Sequence, residues 1–516
     1  MPRTSTPTTG VPRLAVLLTV CAAVLAINLD TTIVNVALPT LSTELDAGTR
    51  TLQWIVDGYN LAFAGLVLVM GSLSDKLGRR PALVVGLLGF AAASAVGALV
   101  TTAEALVAAR FAMGAFAALI FPTTLSILAN AYPERRERAV ALGAWGAVVG
   151  VGVAAGPVTG GLLLEHFAWP SIFWALVPVA VLTAGVALAV VPESRDPQVP
   201  PLDVPGLVLS VVLLGTVVWT IIEAPAHGWL SATTLTGFAV GAVALVAFVV
   251  RERRTPHPML DVALFRDPRF GAAAGAVVLS FFALFGFIFL VTQYFQFVRG
   301  FGTLSTGARI LPVALSIGAA SAVGAVLATR IGTKAVVTTG MLAFGASFLW
   351  ISTNAAHAPY ASVVVPQMVL MGLGMGLIST PATESIMLVL PPARAGVGSA
   401  VNDATREVGG TLGVAVVGSL FASIFADRLA SSAYAALPAV ALDAAQDSVG
   451  AAWTMAATDP RLAAVLEDSF MDAFATACVV VSAVCFLGAA AAWRWLPGRW
   501  ALAEAAAGHD DRALVP

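Results

Sequence analysis

Long apolar stretches, broken by short polar turns, recur from one end of the chain to the other. A helix needs about 20 apolar residues to cross a bilayer, and a window of that length predicts fourteen spanning helices. They are expected near residues 14–38, 53–72, 81–101, 105–129, 138–163, 171–191, 204–223, 232–250, 271–292, 305–327, 335–354, 360–388, 397–425 and 472–495. The pattern therefore predicts an all-α polytopic membrane protein.

Composition supports a membrane environment. Hydrophobic residues make up 59% of the 516 positions and charged residues 11%, whereas a soluble domain is about 45–50% apolar and about 25% charged. A soluble fold has too little interior to hide this much apolar surface. The formal net charge of -2 gives no indication of a nucleic-acid partner.

Basic residues are unevenly divided between the two sets of loops. If the N-terminus is cytoplasmic, the loops on that side hold roughly 20 of the 27 Lys and Arg residues. This bias predicts an even number of spans in the cytoplasmic membrane, with both termini cytoplasmic. The apolar run 14–38 is too long for the core of a signal peptide, so we expect it to be the first span. The outer loop 426–471 is acidic instead.

Two polar, proline-containing loops, 192–205 and 251–269, enclose one helix pair. Six predicted helices precede this pair and six follow it, which is typical of transporters built from two parallel repeats. The predicted domains are a cytoplasmic tail 1–13, a six-helix bundle 14–191, a linker with two extra helices 192–269, a second six-helix bundle 270–495 and a cytoplasmic tail 496–516.

The loop after the second span reads GSLSDKLGRRP, from Gly71 to Pro81. It resembles the signature loop of the major facilitator superfamily, G-x-x-x-D-x-x-G-R-R. The resemblance implies a gate in which Asp75 caps a neighbouring helix and Arg79 and Arg80 bridge to the other half. Glycine at 71 and 78 permits a tight turn and close helix approach. The alternative is a solvated basic loop that serves only the charge bias.

The fifth span contains GVGVAAGPVTGG, which resembles the antiporter motif of the same superfamily. Its central residues are Gly156, Pro157, Gly160 and Gly161. A small-residue packing face is the alternative interpretation. Together with LDTTIVNVALP at 29–39 and QWIVDGYNL at 53–61, these motifs resemble the fourteen-span drug:proton antiporters of the QacA/EmrB type. That family implies a major facilitator fold, two six-helix bundles plus two extra central helices.

Two acids lie inside predicted spans. Asp30 is expected about 12 Å from the outer end of its helix and Asp57 about 6 Å. A charge at this depth costs about 2.5–3.5 kcal/mol on insertion scales, so it is expected to face a cavity or a partner. Proton and organic cation would compete for such a carboxylate. The resemblance implies cation recognition or protonation at both positions. The alternatives are a helix cap for Asp57 and an interhelical hydrogen bond for Asp30.

Further charges extend the predicted proton- and cation-coupling set. Arg110 matches the membrane arginine of the family. The resemblance implies that this arginine assists proton transfer, and a structural ion pair is the alternative. Asp403 and Glu407 are four residues apart on the thirteenth span and share a helix face. Family members carry acids in this stretch. A self-satisfied polar turn with Arg406 is the alternative.

A substrate cavity is predicted around Trp54, Tyr59, Phe285 and Glu384, because aromatic faces and a carboxylate suit organic cations. Most aromatic residues of the ninth span can equally face lipid or the core. After Leu311 and Pro312 the tenth span lacks the additional acid that QacA-type proteins can carry there. The expected substrates are therefore monovalent rather than divalent cations.

Proton-coupled efflux of hydrophobic, often cationic, drugs, dyes or biocides is the function that these features predict. Three cysteines and five histidines lack metal-ligand spacing, and no Walker sequence or catalytic signature occurs, so we expect no metal, cofactor or enzymatic activity. The proton gradient would be the energy source. The expected partners are small-molecule substrates, protons and membrane lipid, and we expect a monomer. An exporter of a lipid or a self-made antibiotic is the alternative, and a membrane receptor is a remote one.

Overall fold

The computed structural model describes residues 13–195, 202–388, 395–457 and 459–498. In these residues it contains fourteen helices that are long and apolar enough to cross a membrane. They are α1 (Arg13–Glu44), α2 (Thr49–Leu77), α3 (Arg79–Leu99), α4 (Ala103–Ala131), α5 (Arg135–His166), α6 (Ser171–Val190), α7 (Val204–His227), α8 (Ala232–Arg254), α9 (Pro268–Val298), α10 (Thr303–Ile331), α11 (Thr333–Ile351), α12 (Tyr360–Met387), α13 (Ala395–Ala430) and α14 (Pro460–Trp495). The predicted all-α fold with fourteen spans is confirmed.

Most helices extend beyond the apolar windows that predicted them. The first was expected to end at residue 38, yet α1 continues through Pro39 to Glu44. The predicted outer loop 426–471 is also shorter, because α13 continues to Ala430 and α14 begins at Pro460. Asp459 caps α14 by accepting from a backbone N–H, and proline at the first helical position is compatible with such a start. Hydropathy detects the part of a helix in lipid and not its polar ends.

The two halves of the chain use the same pairings between helices. In the N-terminal half, α1 packs on α5, α2 on α4, α3 on α4 and α3 on α6. In the C-terminal half, α9 packs on α13, α10 on α12, α11 on α12 and α11 on α14. Each pairing recurs with helix numbers raised by eight, which is the arrangement expected of parallel repeats separated by two extra helices.

The halves meet on the side of the bundle opposite the chain termini, here called the distal side; the other is the terminal side. On the distal side α5 packs against α10, and α2 against α13. Gln296 of α9 donates to the Val36 carbonyl of α1 at 2.9 Å. Two short helices between α13 and α14, Ala439–Asp447 and Val449–Ala456, cover this junction.

The extra helix pair lies across the line where the halves meet. α7 packs on α8, and it contacts both α2 and α13. Glu223 of α7 pairs with Arg50 at 3.1 Å, whereas the Trp229 indole, just after α7, donates to Ser423 of α13 at 3.0 Å. The pair therefore holds residues of both halves at once.

Candidate functional site

A buried ion pair joins α1 to α4 in the N-terminal half. Arg110 Nη1 lies 2.6 Å from Asp30 Oδ2, and the two side chains are 1% and 0% exposed. α1 ends at Glu44, so Asp30 lies about 21 Å from its distal end at the α-helical rise. The predicted depth of about 12 Å was wrong because α1 is longer than its apolar window. The second carboxylate oxygen, Asp30 Oδ1, is buried without a hydrogen-bond partner in the described part of the chain.

α2 supplies the other partners of the Arg110 guanidinium. Arg110 Nε donates to the Ile55 carbonyl at 2.9 Å, and the Arg110 guanidinium carbon lies 4.5 Å from the centre of the Tyr59 ring. The Tyr59 hydroxyl in turn donates to the Ile27 carbonyl at 3.4 Å. Because Ile55 and Tyr59 are four residues apart, they present one face of α2 to the arginine. Three helices thus fix a single buried cation.

Asp57 is the second acid of this region, and it is unpaired. Its side chain is fully buried, and neither carboxyl oxygen makes a hydrogen bond within the described residues. Its polar neighbour is Asn60, one turn along α2. Eight residues separate Asp57 from the distal start of α2 at Thr49, a distance of about 12 Å. It also lies deeper than its predicted 6 Å, because α2 begins four residues earlier than expected.

Gln53 is a residue that the sequence analysis missed. Its Nε2 donates to the carbonyls of Val414 and Ala415 at 3.1 and 3.0 Å and lies 3.2 Å from Ser419 Oγ. These acceptors belong to α13, so Gln53 joins the two halves. Residues four apart share a helix face, and Asp57 therefore lies on the side of α2 that faces α13. The signal in the sequence that could have identified Gln53 is a polar amide inside an apolar span, because such a group needs a hydrogen-bond partner.

The polar turn of α13 lies against α9 in the C-terminal half. The Arg406 guanidinium lies 5.3 Å from the centre of the Phe281 ring, and its Nε is buried without a hydrogen bond in the described chain. Asp403 is buried and Glu407 is half-buried. This polar turn therefore belongs to the half opposite the Asp30–Arg110 pair.

The four residues predicted to line one cavity occupy different surroundings. Tyr59 is packed under Arg110, and Phe285 is buried with its ring 3.3 Å from the position that a Cβ on Gly410 would take. Glu384 is exposed near the terminal-side end of α12. Trp54 lies on another face of α2 and its indole donates to Glu223 at 3.4 Å. Aromatic content identified these residues, but it does not specify which helix face each one occupies.

Trp54 lines a lateral groove between α2, α4 and α7. The groove has a volume of about 620 Å³, and almost all of its lining is apolar. Phe111 of α4 and Trp219 of α7 face it together with Trp54, and Gly65 leaves space in its floor. The lining residues lie within the apolar stretches of all three helices, so the groove presents an apolar surface wide enough for a side chain-sized group.

The signature loop lies on the terminal side, between α2 and α3. Gly78 has φ of +120°, a conformation that glycine adopts without strain. Arg79 Nε pairs with Asp75 Oδ1 at 2.7 Å, and Arg80 Nε with Glu193 Oε2 at 3.4 Å. Asp75 belongs to α2, and Glu193 follows α6 directly. Among the described residues, neither arginine pairs with the C-terminal half as the resemblance implies, and the halves meet on the distal side.

Gly71 of the same loop lets α2 approach α4. A Cβ on Gly71 would lie 3.2 Å from the Pro122 side chain. The turn after α2 is therefore fixed at both glycines, by close packing at one and by backbone conformation at the other.

The glycines of α5 contact two helices. A Cβ on Gly160 would lie 2.7 Å from Ile33 of α1, and one on Gly161 would lie 2.7 Å from Leu304 of α10. Thr303 Oγ1 donates to the Gly161 carbonyl at 3.0 Å. Gly156 packs on α1, and the backbone of Pro157 lies against Gly307 of α10. The motif is thus a close contact between the halves.

Comparison with known proteins agrees with this geometry. A family model described as Major Facilitator Superfamily matches residues 20–414. The chain belongs to the major facilitator superfamily. The multidrug efflux pump LfrA of Mycolicibacterium smegmatis is 36% identical to this major facilitator, over 95% of the chain and 96% of the relative. The tetracenomycin C resistance and export protein of Streptomyces glaucescens is 34% identical to this chain, over 92% of the chain and 90% of the relative.

Solved structures support the fold of this major facilitator. A bacterial homologue of the human lysosomal transporter Spinster, in an inward-facing and unoccupied conformation, matches with a TM-score of 0.65. The match covers 96% of this chain and 99% of that chain at 15% identity. The predicted superfamily and its fold are therefore confirmed.

Proposed function

We propose that this protein exports hydrophobic monovalent cations in exchange for protons, across the cytoplasmic membrane and with both termini in the cytoplasm. Relatives described as multidrug efflux and export proteins cover most of the chain, which supports drug efflux. The unpaired Asp57 carboxyl, buried on the side of α2 that faces α13, is the observation that supports proton coupling. The proton gradient supplies the energy without a bound cofactor, and the working unit is a monomer.

Asp57 is the exchanging group in this scheme. An unpaired carboxylate within the membrane costs about 2.5–3.5 kcal/mol on insertion scales, so burial favours its neutral form. A cation that reaches Asp57 from the terminal side favours the carboxylate, and the proton leaves to that side. Exposure of the loaded site on the distal side lets a proton displace the cation. One cation leaves for each proton that enters.

The Asp30–Arg110 ion pair does not exchange its proton in this scheme, in contrast to Asp57. Arg110 lies in direct contact with Asp30, and a charge-assisted contact of this kind favours the carboxylate form of Asp30. Its unpaired oxygen, Oδ1, remains available to attract a cation. Tyr59 lies against Arg110 and donates to the Ile27 carbonyl of α1, so α2 holds the pair in place. The two acids thereby have different roles in a single cycle.

A pH-jump experiment on proteoliposomes tests this proposal. Purified protein would be reconstituted, a pH gradient imposed at zero membrane potential, and uptake of a fluorescent lipophilic monocation followed. We expect Asp57→Asn to abolish gradient-driven transport while retaining exchange of labelled for unlabelled cation. We expect Asp30→Asn to weaken both. Glu104→Gln, an exposed acid at the distal start of α4, is the matched control and should transport like the wild type.

Two results would overturn the proposal. Gradient-driven transport by Asp57→Asn at the wild-type rate would remove Asp57 from proton coupling. Transport that responds to an imposed sodium gradient and not to pH would replace the proton as the coupling ion. A neutral analogue of the dye distinguishes cation recognition from general damage, because a structural defect would reduce transport of both compounds equally.

Lipid export is a second candidate, and the lateral groove supports it. A lipid exporter needs an apolar surface that is open to the bilayer, and the groove lined by Trp54, Phe111 and Trp219 supplies one. Gly65→Leu would fill its floor. If lipid is the substrate, this variant should stop movement of a fluorescent lipid between leaflets and leave dye transport intact. Unchanged lipid movement in this variant would exclude the groove as the route of the lipid, and no lipid movement by the wild type would exclude this second function.

A further inference from the structure

Two acids outside the proposed transport site lie together where the extra helix pair begins and ends. Asp203 caps α7, and its Oδ1 accepts from the backbone N–H of Gly206 at 3.1 Å. Glu252 lies in the last turn of α8, and its Oε2 accepts from the backbone N–H of Leu260 at 2.8 Å. The two residues are 8% and 3% exposed. Both acids are therefore buried at the terminal-side edge of the bundle.

The second oxygen of each acid points into one shared space. Asp203 Oδ2 and Glu252 Oε1 are both buried without a hydrogen-bond donor among the described residues. A Cβ on Gly206 would lie 2.8 Å from the first oxygen and 2.5 Å from the second. Two ionised oxygens this close would repel each other, whereas one proton between them satisfies both.

Arg251 determines which acid stays ionised. Its Nη2 and Nε lie 2.9 and 3.1 Å from Asp203 Oδ1, and such a charge-assisted contact favours the carboxylate. Glu252 accepts the backbone N–H of Leu260. Among the described residues, the other charged or titratable side chains that line the cavity at the pair are Arg253, His257, Asp261 and Arg266, and α2 contributes Leu68, Val69 and Ser72. The proton therefore belongs on Glu252.

A cavity connects the pair with the aqueous phase on the terminal side. It has a volume of about 740 Å³, and both Asp203 and Glu252 line it. Its wall includes residues 255–259 and 261–264, which belong to the segment that leads from α8 to α9 and hence into the C-terminal half. Protons can thus reach the pair without crossing the membrane interior.

We propose that Glu252 and Asp203 bind a single shared proton and that this proton holds the joint between the extra helices and the C-terminal half. Glu252 Oε1–H donates to the Asp203 Oδ2 carboxylate, while Glu252 Oε2 keeps the Leu260 backbone N–H. Loss of the proton to the terminal-side solution leaves two adjacent carboxylates. Their repulsion separates the end of α8 from the start of α7, and the Leu260 segment, which is bound to Glu252, moves with α8.

Thermal unfolding of Glu252→Gln across a range of pH tests the shared proton. The glutamine amide donates to Asp203 as the acid does and does not titrate. A proton bound in the folded state stabilises the protein at low pH and is lost as pH rises. The wild type should therefore match Glu252→Gln at acidic pH and unfold at lower temperature than the variant at alkaline pH. Infrared difference spectra should contain a titrating carboxylic acid band in the wild type that the variant lacks.

Two outcomes would overturn this proposal. Parallel stability curves for the two proteins over the whole pH range, together with the same carboxylic acid band in both, would mean that Glu252 binds no titrating proton. Stabilisation of the wild type but not of Glu252→Gln by added Mg²⁺ would make the pair a cation site instead. Glu252→Ala removes the Leu260 contact as well, and its lower stability at every pH separates loss of the contact from loss of the proton.

Discussion

Thr303 and Gly161 join the two halves of the transporter through a hydrogen bond of 3.0 Å from a side-chain hydroxyl to a backbone carbonyl. A Cβ on Gly161 would lie 2.7 Å from the Cα of Leu304. This space excludes even a methyl group, and the distal closure therefore depends on a glycine. The antiporter motif thus has a geometric role in addition to its resemblance to a family pattern.

Gly161→Ala should hinder distal closure. The added methyl group collides with the backbone of α10, so the variant should populate distal-open forms and lose transport by about 10-fold, which corresponds to about 1.4 kcal/mol. Spin-label distances between the distal ends of α5 and α10 would measure the opening. Gly150→Ala on the same helix is the matched control, because a Cβ there meets nothing within 4 Å. Equal behaviour of the two variants would contradict the account.

Gln53→Leu should weaken the same closure from another position. The change removes the donor that binds two carbonyls of α13, and hydrogen bonds of this kind contribute about 0.5–1.5 kcal/mol each. Labelling of a cysteine placed at the distal end of α13 should accelerate. Ser419→Ala removes only the third contact and should produce a smaller change. A larger effect of Ser419→Ala would assign the closure to other residues.

Arg110→Ala should strongly destabilise the protein, by about 3–5 kcal/mol, because it leaves Asp30 as an uncompensated buried charge. The double variant with Asp30→Asn should recover part of this loss, since the unpaired charge is then removed. Thermal unfolding of the wild type, both single variants and the double variant measures the coupling. Additive losses would mean that the two side chains do not stabilise each other.

Gly78→Ala should destabilise the terminal-side turn by about 1–3 kcal/mol, because φ of +120° strains any other residue. The methyl group would also approach Glu193 Oε1, the partner of Arg80. Unfolding temperature and transport should both fall. Gly143→Ala, in open space on α5, provides the control, and an equally small effect of both changes would contradict a conformational role for Gly78.

The sequence predicted the number and order of spans because lipid imposes an apolar length on each helix. Asp30 was predicted as a functional residue because charges at that depth need partners, whereas Arg110 was predicted from its match to the membrane arginine of the family that the chain resembles. Their direct pairing was not predictable, because they lie 80 positions apart on α1 and α4 and hydropathy does not specify helix neighbours. Gln53 was missed because a neutral amide barely alters an apolar window.

The residues predicted to line one cavity likewise show that sequence pattern does not specify which helices pack together. Trp54 and Tyr59 are five residues apart on α2 and so point to different faces. One faces the lateral groove and the other the buried arginine. Residue type indicated a preference for organic cations, but which neighbouring helix each face of α2 meets is set by its packing against α4, α7 and α13.

Proton release on substrate binding tests the central claim most directly. Purified protein in weakly buffered detergent would be mixed with a lipophilic monocation, and the change in pH recorded with an indicator dye. We predict that the wild type releases protons in proportion to the cation bound and that Asp57→Asn binds cation, more weakly, without releasing any. Proton release by Asp57→Asn equal to that of the wild type, or cation binding by the wild type with no release at any starting pH, would contradict exchange at Asp57.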